Sequence, residues 1–163
     1  MKMTLAGLAG ALALTAVVLV AGVPPAAAQG ATAQGAAERA VAARQGGFKQ
    51  IGAAFKAVND ELRAGKPDLA AVVSAAARLE THASQLPTWF PRGSGPESGA
   101  KTGARATVWS DAAGFADAAA NLRTQTSRLN VLAREGDLAA VRKQAAQVGA
   151  ACKTCHTAYR EED

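Results

Sequence analysis

Apolar residues return at alternating steps of three and four in four stretches of the chain. That spacing belongs to helices that bury one face in a bundle. In the first stretch, about Ala36 to Arg63, the series is Val41, Phe48, Ile51, Phe55, Val58 and Leu62. The member due at position 44 is an arginine. Gly65-Lys66-Pro67-Asp68 then reads as a stop followed by a new start. The second stretch, about Asp68 to Gln85, shows Leu69, Val72, Val73, Ala76, Leu79, Ala83 and Leu86. The third, about Arg105 to Glu135, shows Val108, Ala112, Phe115, Ala119, Leu122, Thr126 and Leu129. Gly136 ends it, and Asp137 caps a fourth, Leu138 to about Arg160. The fourth series is Leu138, Val141, Ala145, Val148, Cys152, Cys155 and Tyr159. Between the second and third stretches, Pro87, Pro91, Pro96 and four glycines mark a long connection. Its Trp89 and Phe90 are expected to fold back over apolar surface. No stretch alternates with the period of a strand. The pattern predicts an all-α, up-and-down four-helix bundle.

The N-terminus follows a different rule. Lys2 precedes an apolar run from Leu5 to Val20, and Pro24-Pro25-Ala26-Ala27-Ala28 follows. A basic start, an apolar core and small residues at the end read as a secretory signal peptide over residues 1–28. Alanine, glycine and threonine dilute the run, so it reads as a cleaved signal rather than a membrane anchor. Residues 29–35 read as a flexible leader, and 36–163 as one domain exported to the periplasm. Alanine richness and few aromatics favour helix. The formal charge of +5 is modest and has no lysine–arginine run, so neither nucleic acid nor stable membrane association is expected.

The chemistry lies near the C-terminus, in Cys152-Lys153-Thr154-Cys155-His156. C-x-x-C-H is the attachment signature of a c-type haem. Two thiols add across the porphyrin vinyl groups, and the histidine binds the iron from one axial side. On a helix Cys152, Cys155 and His156 are three and four apart and can converge on one group. A zinc site would need four ligands, and Cys155 and His156 are adjacent, which suits one tetrahedral ion poorly. A thioredoxin-type pair prefers a helix N-terminus beside a βαβ unit, and no strand pattern is present. The two cysteines are the only ones in the chain, so none is left for a disulfide. Both belong to the apolar stripe of the fourth helix, which places the haem inside the bundle, near one end of that helix.

Arg44 occupies a core position without an evident carboxylate partner. It either points inward to an anion, a haem propionate being the obvious one, or reaches water at an open bundle end. His82 falls at the edge of its stripe and reads as a partly exposed structural residue. Met1 and Met3 lie in the signal segment, so methionine ligation of the iron is excluded in the exported chain. The default is a five-coordinate iron with an open, apolar distal side.

Cys152-Lys153-Thr154-Cys155-His156 followed by Tyr159-Arg160 resembles cytochrome c′, of the class II c-type cytochromes. Asp137-Leu138, Trp109-Ser110-Asp111, Leu86-Pro87 and Arg44-Gln45 fit the same likeness, which covers the exported chain. The resemblance implies a four-helix bundle, a homodimer formed through the first helices, one covalently bound haem c per chain and a role in handling nitric oxide. It places Phe48 at the distal pocket and Arg160 beside the proximal histidine. Arg44, Gln45, Phe48, Ile51, Gly52, Tyr159 and Arg160 are the expected pocket residues. Two function classes follow. One is a gas-binding haem protein that takes nitric oxide or carbon monoxide; the other is a periplasmic electron carrier with a redox partner protein. Enzymic chemistry needs a distal acid–base group, and none is evident near Phe48.

Overall fold

The computed structural model describes residues 26–161; the expected signal segment falls almost wholly outside them. Four long helices form the bundle: α1 (Ala26–Arg63), α2 (Leu69–Gln85), α4 (Ala112–Glu135) and α5 (Leu138–Tyr159), with a short α3 (Thr107–Ser110) leading into α4. Two 3₁₀ turns, Leu86–Trp89 and Pro96–Ser98, lie in the connection between α2 and α3.

Local chemistry sets most of the ends. Asp68 accepts hydrogen bonds from the Ala70 and Ala71 N–H groups and starts α2. Asp137 accepts from Ala140 N–H and starts α5. Gly136 closes α4 at φ 79°, a left-handed conformation natural to glycine. Two ends differ from the sequence reading. First, α1 extends back to Ala26 rather than starting near Ala36, so the stretch 29–35, expected as a flexible leader, is helical. The five alanines and two glutamines of residues 26–35 favour helix, against the cost of Gly30 and Gly35. Second, the expected continuous helix from Arg105 to Glu135 is broken at Asp111, where φ −114° and ψ 57° leave the helical region. The Asp111 carboxylate accepts from Gly114 N–H instead and restarts the helix as α4. The apolar period runs through the break, which is why periodicity did not reveal it.

The core lies between α1 and α2, α2 and α4, and α4 and α5. Leu79, Leu86, Leu129, Val58, Val72, Val141 and Val148 are fully buried. Each such side chain contributes roughly 1.5–3 kcal/mol relative to exposure. Buried polar groups pin α4 to both neighbours. Asn130 donates to Glu80 of α2, and Gln144 of α5 donates to the Gln125 carbonyl of α4. The contact between α1 and α5 is far thinner than the other three, so the bundle is open along that seam.

The long connection does fold back, as its aromatics suggested. The outer edge of the Trp89 ring abuts Gly47 of α1, so close that a Cβ at position 47 would fall inside the ring's van der Waals surface. Phe90 packs edge-on against Phe115 of α4, with ring centroids 4.8 Å apart. At the chain's other end, Arg160 leaves the helix and forms an isolated antiparallel bridge with Ala104. Among the described residues no helix is long and apolar enough to cross a membrane.

Candidate haem site

The last two turns of α5 carry Cys152, Cys155 and His156. Both thiols are free and half-buried against the core margin, and His156 is exposed on the same side of the helix. Burial pushes both thiols up from their ordinary range, and for Cys155 the neighbouring Cys152 acts in the same direction. Burial and the nearby Arg160 charge push His156 down, which favours a neutral imidazole with a lone pair to offer. Cys155 and His156 are neighbours about 100° apart around the helix, so they cannot both grip one small ion. They suit a wide group bound at its edge and at its centre.

Across the open seam stands α1. The Phe48 ring lies 6.5 Å from His156, edge-on. Seven residues further along α1, Phe55 reaches to 3.8 Å from where a Cβ on Gly149 would lie, seven residues back along α5. The two contacts define an antiparallel register that sets Gly52 against Cys152. Gly52 is exposed with open space around its Cα, and Ile51 is buried behind Phe48. Beyond Phe55 the seam widens into a cleft of about 410 Å³, lined by Asn59, Leu62, Arg63, Arg142, Ala145 and Ala146. An apolar wall, a side-chain-free position level with the first thiol across the seam and a neutral imidazole fit a flat, apolar ring.

Arg44 is buried rather than reaching for water, with 3% of its surface exposed. It donates to Ser94 Oγ (3.0 Å), to the Ser94 carbonyl (2.7 Å) and to Thr102 Oγ1 (2.6 Å). Its guanidinium also lies 5.2 Å from the Phe90 ring centroid and 5.7 Å from that of Trp109. Burial lowers its pKa and the nearby Glu97 charge opposes that. Three of its five N–H groups are used, so two remain for a further acceptor. Gln45 points to solvent, on the flank of α1 away from Arg44. His82 is half-buried near the end of α2, as its place in the stripe suggested.

Sequence reasoning missed Ser94, Thr102, Phe55 and Gly149. It also missed the partner of Tyr159. The Tyr159 hydroxyl donates to Asp111 Oδ2 at 2.7 Å, tying the end of α5 to the break before α4. Phe115 fills the space beneath, 5.3 Å from the Tyr159 ring. The bond to Asp111, followed by burial and the surrounding negative charge, pushes the Tyr159 pKa up to about 12. A raised folded-state pKa means the contribution is complete below the free phenol value near 10 and is lost as pH rises through about 12. Tyr159 is the chain's only tyrosine. Its phenol should therefore titrate alone, near pH 12, in the NMR shifts of its ring carbons. Asp111→Asn should bring the midpoint back toward 10; no movement would show that the bond does not form.

A helical bundle whose last helix presents C-x-x-C-H to an open seam defines a class, the bundle-type c cytochromes. The family model described as cytochrome c′ matches residues 39–160. Cytochrome c′ of Rubrivivax gelatinosus is 34% identical over 120 residues, covering 73% of this chain and 92% of that protein. The crystal structure of that protein superposes with a TM-score of 0.71 over 77% of this chain and 97% of the other, at 30% identity. The nitric oxide complex of a cytochrome c′ variant from Alcaligenes xylosoxidans gives a TM-score of 0.71 at 29% identity, covering 78% and 97%. The chain belongs to the cytochrome c′ family.

Proposed function

We propose that the chain holds one haem c through thioether bonds from Cys152 and Cys155, with His156 as the axial ligand. We infer further that it binds nitric oxide and carbon monoxide opposite Phe48. The observation that carries this reading is the Phe48–His156 pair across the α1–α5 seam, with both thiols within a turn of the histidine. When bound, haem supplies an iron able to take a diatomic gas. His156 offers a neutral nitrogen on one side. On the other, Phe48, half-buried against Trp89 and Phe90, offers bulk and no hydrogen-bond donor. Ile51 and Gly52 add only apolar or small surface. Arg44 has two donors left to hold a propionate while it keeps Ser94 and Thr102 in place. The Alcaligenes xylosoxidans relative's nitric oxide complex supports the same assignment of ligand.

Bound dioxygen needs a distal donor more than nitric oxide or carbon monoxide does. Stable nitric oxide and carbon monoxide adducts are therefore expected, with little dioxygen complex. The residues near Phe48 include no acid–base group suited to turnover, which favours a carrier over an enzyme. The basic–apolar–small order of residues 1–28 supports export to the periplasm. A homodimer through the first helices is part of the same reading, and sedimentation of the holoprotein tests it.

The deciding measurement is the absorption spectrum of the ferrous protein with and without carbon monoxide. A five-coordinate, high-spin spectrum that shifts on adding gas is expected. A six-coordinate, low-spin spectrum without gas would favour the electron-carrier reading instead. Phe48→Ala should speed carbon monoxide association on the order of tenfold, equivalent to ~1.4 kcal/mol off the barrier. An unchanged rate would remove Phe48 from the ligand's path.

A further inference from the structure

On the side away from the α1–α5 seam, a groove opens between the end of α2, the connection and the first half of α4. Its volume is about 400 Å³, within the range of small-molecule sites. Phe90, Val108, Trp109 and Phe115 line it, and the buried Ala83 and Ala119 lie at its base. The aromatic wall is preformed. Phe90 packs edge-on against both Phe115 and Trp109, with centroids 4.8 Å and 6.0 Å apart. Trp109 gives its one N–H to the Phe90 and Pro91 carbonyls, so it shows the groove only apolar surface. Cys152, Cys155, His156 and the whole of α1 are absent from the lining, which separates the groove from the residues that would hold a haem.

The charged residues of the lining are Arg92 and Arg123; no carboxylate belongs to it. Both arginines are exposed, and neither guanidinium takes a hydrogen bond or ion pair among the described residues. Glu97, the carboxylate beside Trp109, accepts from Gly95 N–H, and its charge acts on Arg44 instead. Asn130 meets Glu80 and Phe115 meets Phe90, so α4 runs antiparallel to α2 and the chain that follows it. Arg123 therefore stands at the Pro87 end of the groove, and Arg92, next to Pro91, at the Trp109 end. Between Ala112 and Arg123, α4 supplies roughly 16 Å of groove. The α1–α5 cleft has a similar volume but no spare cation of this kind. There Arg63 is bound to the Asn59 carbonyl and Asp60, and Arg142 to the Leu62 carbonyl.

We propose that this groove binds a free medium-chain carboxylate, its alkyl chain lying along the apolar lining and its head group on a guanidinium at the rim. Burial of the chain supplies the driving force, because the lining offers it no polar group to desolvate. The planar guanidinium matches a carboxylate through two parallel N–H donors. An anionic bilayer fits less well. The groove is recessed, and the exposed large apolar residues, Leu69 and Val131, sit toward the far ends of α2 and α4.

The test titrates the holoprotein with decanoate, kept below micelle-forming concentrations, by calorimetry and by NMR. The Trp109 indole N–H and the amides of Ala116 and Ala119 should shift together and saturate. Affinity should rise from hexanoate to decanoate by up to about fourfold per added methylene. Decanol, which has the chain without the charge, should bind at least about tenfold more weakly. Arg92→Ala with Arg123→Ala should weaken decanoate by at least about tenfold. The same loss of charge outside the groove, Arg128→Ala with Arg134→Ala, should leave the affinity within about twofold. Ala116→Leu, which fills the groove from an exposed position, should abolish binding while circular dichroism shows the fold intact. Equal affinity for decanol and decanoate, equal losses in the two arginine pairs, or saturation unaffected by Ala116→Leu would each overturn the proposal. Phosphatidylglycerol vesicles shifting the same amides where free decanoate does not would overturn it in favour of a membrane surface. Shifts of those amides with protein concentration alone would overturn it in favour of a second copy of the chain.

Discussion

Cys152→Ala combined with Cys155→Ala should leave no haem travelling with the polypeptide in a denaturing gel, a complete loss rather than a reduction. The two thiols are the only groups in the chain able to form thioether bonds. Membership of both cysteines in the apolar stripe would suggest that the haem-free chain unfolds. The structure moves that expectation. The cysteines sit at the core margin, and the fully buried side chains belong to the α1–α2, α2–α4 and α4–α5 contacts. The double variant should therefore keep most of its helical circular dichroism while melting well below the holoprotein, because loss of a bound group removes its linkage stabilisation. Haem retained through the gel would refute the attachment sites. Loss of all helical signal would show that the seam matters more than its thin packing implies.

Arg44→Leu should carry the second-largest effect. It removes three hydrogen bonds to Ser94 and Thr102 at once and leaves the Ser94 carbonyl buried without its partner. Hydrogen bonds from charged donors contribute roughly 1.5–3 kcal/mol each. Relief from burying the guanidinium offsets part of that, so a net loss of about 2–4 kcal/mol is expected. For a domain of this size the melting temperature should fall on the order of 10 °C. Amide exchange across residues 94–102 should quicken, and under the proposed pairing of Arg44 with a propionate the reduction potential of the holoprotein should shift as well. Arg44→Lys should recover little, because one ammonium cannot reproduce the guanidinium fork. Unchanged exchange in the connection would show that Arg44 does not hold it.

The helices and their buried faces were legible because burial imposes a period that the sequence must carry. Phe48, Ile51 and Val58 on α1 had to follow it, as did Val141 and Val148 on α5. Asp68, Gly136 and Asp137 were legible for a local reason, since each acts on the backbone within a few residues. The thiols and the histidine stood out because C-x-x-C-H is the spacing that haem attachment would require. Partners brought together by the path of the connection were not. Ser94 and Thr102 lie 50 and 58 residues from Arg44, and nothing in the intervening chain marks them as its acceptors. Asp111 looked like an ordinary member of a helix because the apolar steps continue on both sides of it.

The Trp89 ring against Gly47 has a consequence for how this sequence can change through descent. A methyl group at position 47 and an indole at position 89 claim the same volume. Neither position can drift alone: a larger residue at 47 must wait for a smaller one at 89. A lineage that loses the tryptophan first becomes free to fill 47, and once it is filled the return is barred. The pair should therefore be inherited as a unit, glycine with the broad ring or a side chain with a slim one, and mixed pairings should be rare among descendants of this chain.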